Sequence, residues 1–148
     1  MLMNVGNVMT APVSWVGPDT TLREIAQRMR GEDIGSVPVA ENDRLIGMVT
    51  DRDIVVRAVA EGEAIDRATA RQVMSGKVLY CRDEDSVTSA LKNMAENQVR
   101  RLPVIDRNKR LVGVVSLGDL SKAAEQAAGG ALKEISKPVA ESHATQTR

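Results

Sequence analysis

Residues 34–54 read Ile34-Gly35-Ser36-Val37-Pro38-Val39-Ala40-Glu41-Asn42-Asp43-Arg44-Leu45-Ile46-Gly47-Met48-Val49-Thr50-Asp51-Arg52-Asp53-Ile54. Two short apolar runs, at 37–40 and 45–49, flank a polar turn and predict a β-hairpin. Thr50 then stands where a hydroxyl caps a helix, expected over residues 51–60. Gly47, inside the second run, predicts a bulge or a close backbone approach.

The stretch recurs. Pro103 and Val104 match Pro38 and Val39 at an offset of 65 residues. One extra residue near Asn108 makes the offset 66, and Arg110, Leu111, Gly113, Val115 and Asp119 then match Arg44, Leu45, Gly47, Val49 and Asp53. Outward from there, Val8-Met9 matches Val73-Met74, Val13 matches Val78 and Met29 matches Met94. Such self-similarity is one supersecondary unit used twice. Each copy carries a helical stripe, Leu22, Ile25, Ala26 and Met29 in the first and Val87, Leu91, Met94 and Ala95 in the second. Thr20 or Thr21 caps the first helix, and Asp85 or Ser86 the second. Runs at 102–105 and 111–115 form the second hairpin, with a helix over 117–128 behind it.

The expected fold is therefore α/β: two β-α-β-β-α repeats packed with pseudo-two-fold symmetry. The repeats span residues 8–66 and 73–130, and 131–148 form a C-terminal tail set off by Gly129-Gly130. Residues 61–67 connect the copies, and Thr69 with Gln72 forms a capping box at the second. One copy alone holds little core, and pairing two by their sheets resolves that.

Composition narrows function. The 148 residues are 43% hydrophobic and 27% charged, as in a folded soluble protein. Lys+Arg and Asp+Glu are 20 each, leaving none of the basic excess that nucleic-acid binding requires. No apolar run approaches the roughly 18 residues of a membrane span, and residues 1–10 hold no Lys or Arg to start a signal peptide. A cytoplasmic protein is expected. The single histidine, His143, lies in the polar tail, and Cys81 is the single cysteine. His-dependent catalysis would have to use His143, which no apolar pattern anchors, one cysteine excludes an all-cysteine metal site, and no phosphate-binding glycine loop occurs. Neither enzyme activity nor a metal site is expected.

The motifs Val8-Met9-Thr10, Ile34-Gly35-Ser36-Val37-Pro38-Val39 and Gly47-Met48-Val49-Thr50-Asp51-Arg52-Asp53-Ile54 resemble a CBS domain. Val99-Arg100-Arg101-Leu102-Pro103-Val104 with Gly113-Val114-Val115-Ser116-Leu117-Gly118-Asp119-Leu120 resembles a second. The resemblance covers residues 8–128 and is to the stand-alone CBS-pair proteins of bacteria. It implies a Bateman module that dimerises into a flat disc. It also implies clefts that take AMP, ADP, ATP or S-adenosylmethionine, in some members NADH, and in some nothing. By the same analogy Thr50 and Ser116 place a hydroxyl near phosphate, and Asp53 and Asp119 hold the ribose hydroxyls. One cleft would join Thr10, Val13, Gly35, Ser36 and Val37 with Ser116 and Asp119. The other would join Ser75, Val78 and Leu79 with Thr50, Asp53, Arg100 and Arg101. In related sensors basic residues at this place contact nucleotide phosphates, which a guanidinium fork suits; solvated arginines or ion pairs to Glu96 or Asp106 are the alternative.

The chemistry of Thr/Ser-x-x-Asp stands beside that analogy. The hydroxyl faces first-turn amides, the helix dipole favours an ionised Asp, and a carboxylate accepts both hydroxyls of a cis-diol. Free helix amides beside it suit a phosphate. The same spacing is also an ordinary capping box. With no Phe in the chain, an adenine would sit between aliphatic side chains, and Trp15 and Tyr80, at equivalent positions, are expected to pack. Met29 and Met94 read as core, Cys81 as a buried thiol rather than a redox switch, and Asp51-Arg52-Asp53 as an intrahelical charge cluster rather than a cation site. The expected function is a non-enzymatic, homodimeric sensor of an adenosine nucleotide, signalling to a downstream protein by reorienting its repeats. The alternatives are a ligand-free dimerisation scaffold and, third, redox signalling through Cys81.

Overall fold

The computed structural model describes residues 3–135, so His143 and the rest of the tail lie outside the described residues. The elements run α1 (Val5–Val8), α2 (Leu22–Glu32), β1 (Ser36–Glu41), β2 (Arg44–Thr50), α3 (Asp51–Ile54), α4 (Ala70–Val73), β3 (Cys81–Arg82), α5 (Val87–Asn97), β4 (Arg101–Ile105), β5 (Leu111–Ser116) and α6 (Leu117–Ile135). A π-helical turn, Val55–Val59, continues α3.

Local chemistry accounts for most of these limits. The Thr21 hydroxyl accepts from the Glu24 N–H, and at the equivalent position Ser86 accepts from Ser89. Both helices end on a left-handed residue, Asp33 and Gln98, each with φ 54°. Asn42 and Asp43, at φ 53° and 65°, make the tight turn between β1 and β2. Both hairpins are antiparallel and bulge at matching places, Ile46 and Val112 being left without cross-strand partners beside Gly47 and Gly113.

The leading strand of the repeat is shorter than expected. In the second copy, β3 pairs in parallel with β4 at Cys81–Val104 and Arg82–Ile105. In the first, Val16 makes a lone bridge to Val39. Asp83 extends the second pairing by donating its N–H to the Ile105 carbonyl at 3.0 Å. The equivalent residue of the first copy is Pro18, which has no N–H to give. Nor does Gly129-Gly130 end the last helix, which runs on to Ile135. Each glycine costs about 1 kcal/mol relative to alanine, and the surrounding alanines, Ala127, Ala128 and Ala131, are the best helix formers.

Two apolar cores form, one per copy, but each takes its leader from the other. Val5, from α1, is fully buried with Val87, Leu102 and Leu120 of the second copy. Ala70 and Val73, from α4, are buried with Leu22, Ile25 and Val49 of the first. The exchange is reciprocal down to single hydrogen bonds. Val5 N–H donates to Asp85 O at 2.8 Å, and Ala70 N–H to Thr20 O at 2.9 Å. Thr10 N–H donates to Val114 O at 2.8 Å, and Ser75 N–H to Met48 O at 3.0 Å. The copies are thus joined by crossed leaders, and at the hairpin ends by Leu111 N–H donating to Asp43 O at 2.8 Å. Met29 and Met94 lie in the cores, as does Cys81.

Candidate ligand grooves

Two grooves flank the line where the copies meet, and they are pseudo-symmetry mates. The larger, about 660 Å³, is lined from the first copy by Gly35, Ser36, Met48, Thr50, Asp51 and Arg52. From the second copy it takes Ser75, Lys77, Leu79, Val99, Arg100, Arg101 and Pro103. The smaller, about 290 Å³, is lined by Thr10, Pro12, Val13, Ser14, Glu32, Ile34, Ser36, Pro38, Met48, Arg101 and Val114. Thr10 is the mate of Ser75, Pro12 of Lys77, Ser14 of Leu79 and Ile34 of Val99.

The larger groove is basic. Arg52, Lys77, Arg100 and Arg101 line it against one carboxylate, Asp51. Among the described residues none of these cations makes an ion pair, including with Glu96 or Asp106. Its apolar wall is aliphatic: Met48, Leu79, Val99 and Pro103. Asp51 owes its place to Gly35, where a β-carbon would sit 3.1 Å from its Oδ2. The backbone pairs the two directly, Asp51 N–H donating to Gly35 O at 2.9 Å. In the second copy the same hydrogen bond joins Leu117 N–H to Arg100 O at 2.8 Å. One copy therefore presents glycine and aspartate where the other presents arginine and leucine.

Of the residues expected in one cleft, Thr50, Ser75, Leu79, Arg100 and Arg101 line the larger groove together. Asp53 does not join them. Its Oδ2 accepts the Thr50 N–H at 2.8 Å, its Oδ1 lies 3.9 Å from Arg57 Nε, and the Thr50 hydroxyl accepts the Asp53 N–H at 3.0 Å. This reciprocal capping box occupies the carboxylate. Val78 does not line the larger groove either; it lines a separate open surface groove with Tyr80, Lys92 and Asn93.

Of the residues expected in the other cleft, Thr10, Val13 and Ser36 line the smaller groove. Gly35 lines the larger instead. Val37 is fully buried in the first core, because alternation along β1 turns Ser36 and Pro38 to the groove and Val37 and Val39 inward. Ser116 and Asp119 line neither groove; the Ser116 hydroxyl accepts the Asp119 N–H at 3.1 Å, and Asp119 is exposed. Trp15 and Tyr80 are not packed away, each being 39% exposed. Their backbones are held instead, Arg28 donating to Trp15 O and Asn93 to Tyr80 O. Sequence reading missed Asp51, Arg52 and Lys77 as groove residues. The signal lay in the paired copies, where Leu117, Gly118 and Pro12 replace them.

Comparison with known proteins places this geometry. The model of the CBS domain matches residues 5–59 and again 70–126. The chain belongs to the CBS domain family. Among curated CBS relatives, the CBS domain-containing protein YhcV of Bacillus subtilis is 39% identical over 137 residues, covering 91% of this chain and 96% of that one. Hypoxic response protein 1 of Mycobacterium tuberculosis is 40% identical over 136 residues, covering 90% and 94%. A crystal structure of Hypoxic Response Protein I with two coordinated zinc ions superposes with TM-score 0.75 at 40% identity, covering 81% of this chain and 98% of that one. A CBSX2 structure in complex with AMP shares the fold at TM-score 0.73 and 24% identity, covering 84% and 98%. The CBS pair of MJ0100, in complex with 5′-methylthioadenosine and S-adenosyl-L-methionine, does so at 0.71 and 21%, covering 86% and 99%. The fold is thus a tandem CBS pair. As for zinc, the described residues of this chain contain no group of three or more His, Cys, Asp or Glu placed to hold a metal ion. Burial pushes the Cys81 thiol up to about 12, with the Asp85 charge adding to it, so the thiolate that zinc needs is disfavoured.

Proposed function

We propose that this CBS pair is a non-enzymatic regulatory module of the cytoplasm that binds an adenosine-containing nucleotide in the larger groove. The observation that carries the reading is the convergence of Arg52, Lys77, Arg100 and Arg101, without ion-pair partners among the described residues, on a groove that also has an aliphatic wall. Guanidinium forks suit phosphate oxygens. Met48, Leu79, Val99 and Pro103 would sandwich the adenine, and the Thr50 hydroxyl, which already accepts from Asp53, keeps its proton to donate. Asp51, whose Oδ1 accepts the Arg52 N–H at 2.8 Å and whose Oδ2 accepts no hydrogen bond among the described residues, is the groove carboxylate for the ribose diol. The fold can host such ligands, since AMP occupies one neighbour and 5′-methylthioadenosine with S-adenosyl-L-methionine another.

Because both copies line the groove, a ligand would favour one relative orientation of the repeats through its differential affinity. Val55, Val56 and Val59, 57%, 45% and 58% exposed on the π turn, offer an apolar face for the pairing of two chains. A downstream protein would read the resulting geometry.

A thermal-shift panel of AMP, ADP, ATP, S-adenosylmethionine and NADH tests this. Ligand at about 100 times its dissociation constant stabilises by roughly 2.7 kcal/mol. Arg100→Ala should abolish the shift while leaving the unliganded melt unchanged. If no member of the panel shifts the melt while the chain sediments as a dimer, it is a ligand-free scaffold.

A further inference from the structure

The grooves share a wall. Ser36, Met48 and Arg101 line both, and Ser36 and Arg101 are equivalent positions of the two copies, so this wall lies at the pseudo-two-fold axis. Charge is not shared in the same way. Arg52, Lys77 and Arg100 line the larger groove alone, and their mates Gly118, Pro12 and Gly35 carry no charge. The smaller groove has Glu32, whose Oε2 accepts the Ser14 hydroxyl at 3.1 Å, and Arg101 is its one cation among the described residues.

Resting on the nucleotide reading above, we propose that the grooves are mutually exclusive for phosphate-bearing ligands, with Arg101 as the shared element. The larger groove takes a nucleoside polyphosphate, whose several negative charges match its four cations. Arg101 brings a single positive charge to the wall that both grooves share, and phosphates in the larger groove draw on it first. Once Arg101 turns to the first nucleotide's phosphates, a second anion in the smaller groove meets Glu32 and, among the described lining residues, no other cation; Arg28 is engaged by Ser14 Oγ at 3.2 Å and Trp15 O at 2.8 Å. Size acts in the same direction. About 660 Å³ lies within the range of roughly 300–1,000 Å³ typical of small-molecule sites, and about 290 Å³ falls at its lower edge. One chain therefore holds one polyphosphate nucleotide, although its duplicated fold supplies two grooves.

Isothermal titration of the full chain with ATP reads this directly. We expect one ATP per chain, with any second event at least tenfold weaker. Lys77→Ala and Arg52→Ala, at exposed positions, should each weaken the first event about tenfold. Ser14→Ala should leave it unchanged, and Glu32→Gln should strengthen the second. Two ATP per chain at equal affinity would overturn the exclusion and leave nucleotide binding standing. A single event insensitive to Lys77→Ala and Arg52→Ala would overturn the assignment of the groove. No heat with ATP, AMP or adenosine would remove the nucleotide reading itself, and this inference with it.

Discussion

Met74 rests on Gly47: a β-carbon on that glycine would lie 2.7 Å from the methionine sulfur. The mate of this contact sets Met9 on Gly113, where an added β-carbon would lie 2.6 Å from the sulfur and 2.9 Å from the Thr10 carbonyl oxygen. Both methionines follow the crossed leaders, and both glycines stand next to a bulge. The glycines are the seats on which each leader docks against the opposite hairpin.

An added methyl group must therefore cost more at Gly113 than at Gly47. Met74 can move its flexible side chain aside, whereas at Gly113 the backbone of Thr10 is also in the way. Gly113→Ala should destabilise by about 1–3 kcal/mol and Gly47→Ala by less, read from urea midpoints. Equal costs would mean that the leader's backbone yields freely.

Reciprocal leaders make the damage cross over. Val5→Ala should cost roughly 2 kcal/mol, two methylene equivalents plus the cavity left behind. Its effect on amide hydrogen exchange should fall on β4 and β5 rather than on the neighbouring first copy. Faster exchange confined to β1 and β2 would contradict the packing of Val5 in the second core.

The two equivalent aspartates should part company. Asp53→Ala removes the acceptor of the Thr50 N–H and should cost about 1 kcal/mol. Asp119→Ala, at an exposed carboxylate with no hydrogen bond among the described residues, should stay within about 0.5 kcal/mol. A matched loss in both would show that the two helix starts are capped alike.

Cys81 links stability to alkaline pH. Burial raises its thiol from the ordinary 9.0 to about 12, so an unfolded chain ionises the thiol at a lower pH than the folded one. The folded state then binds the extra proton, and its stability, fully present below pH 9.0, falls as the pH climbs towards about 12. Between about pH 8 and about pH 11, Cys81→Val should lose less stability than the parent chain. A thiol reagent near neutral pH should modify Cys81 only after denaturation. Rapid labelling of the native chain would revive the redox reading.

Much of the fold is local and could be read along the chain. The hairpins and the Thr21 and Ser86 caps each depend on a few consecutive residues. The crossed leaders could not be read that way. Val5 and Ala70 are apolar in either arrangement, and two cores built on the same pattern offer no periodic signal to say which one each enters. The role of Asp53 was open for a related reason: Thr-x-x-Asp serves equally as a cap or as a ligand clasp, and its side-chain orientation separates the two.

Duplication, the order of helices and strands, and the apolar faces to be buried are written in residue type and spacing, because each element satisfies its own backbone and cap over a few positions. Which copy a leader buries against, which carboxylate faces a groove, and how the cations divide between the two grooves arise only when distant segments meet. Those choices are made by packing, within a copy where Gly35 leaves room for Asp51 and between copies where Gly47 leaves room for Met74.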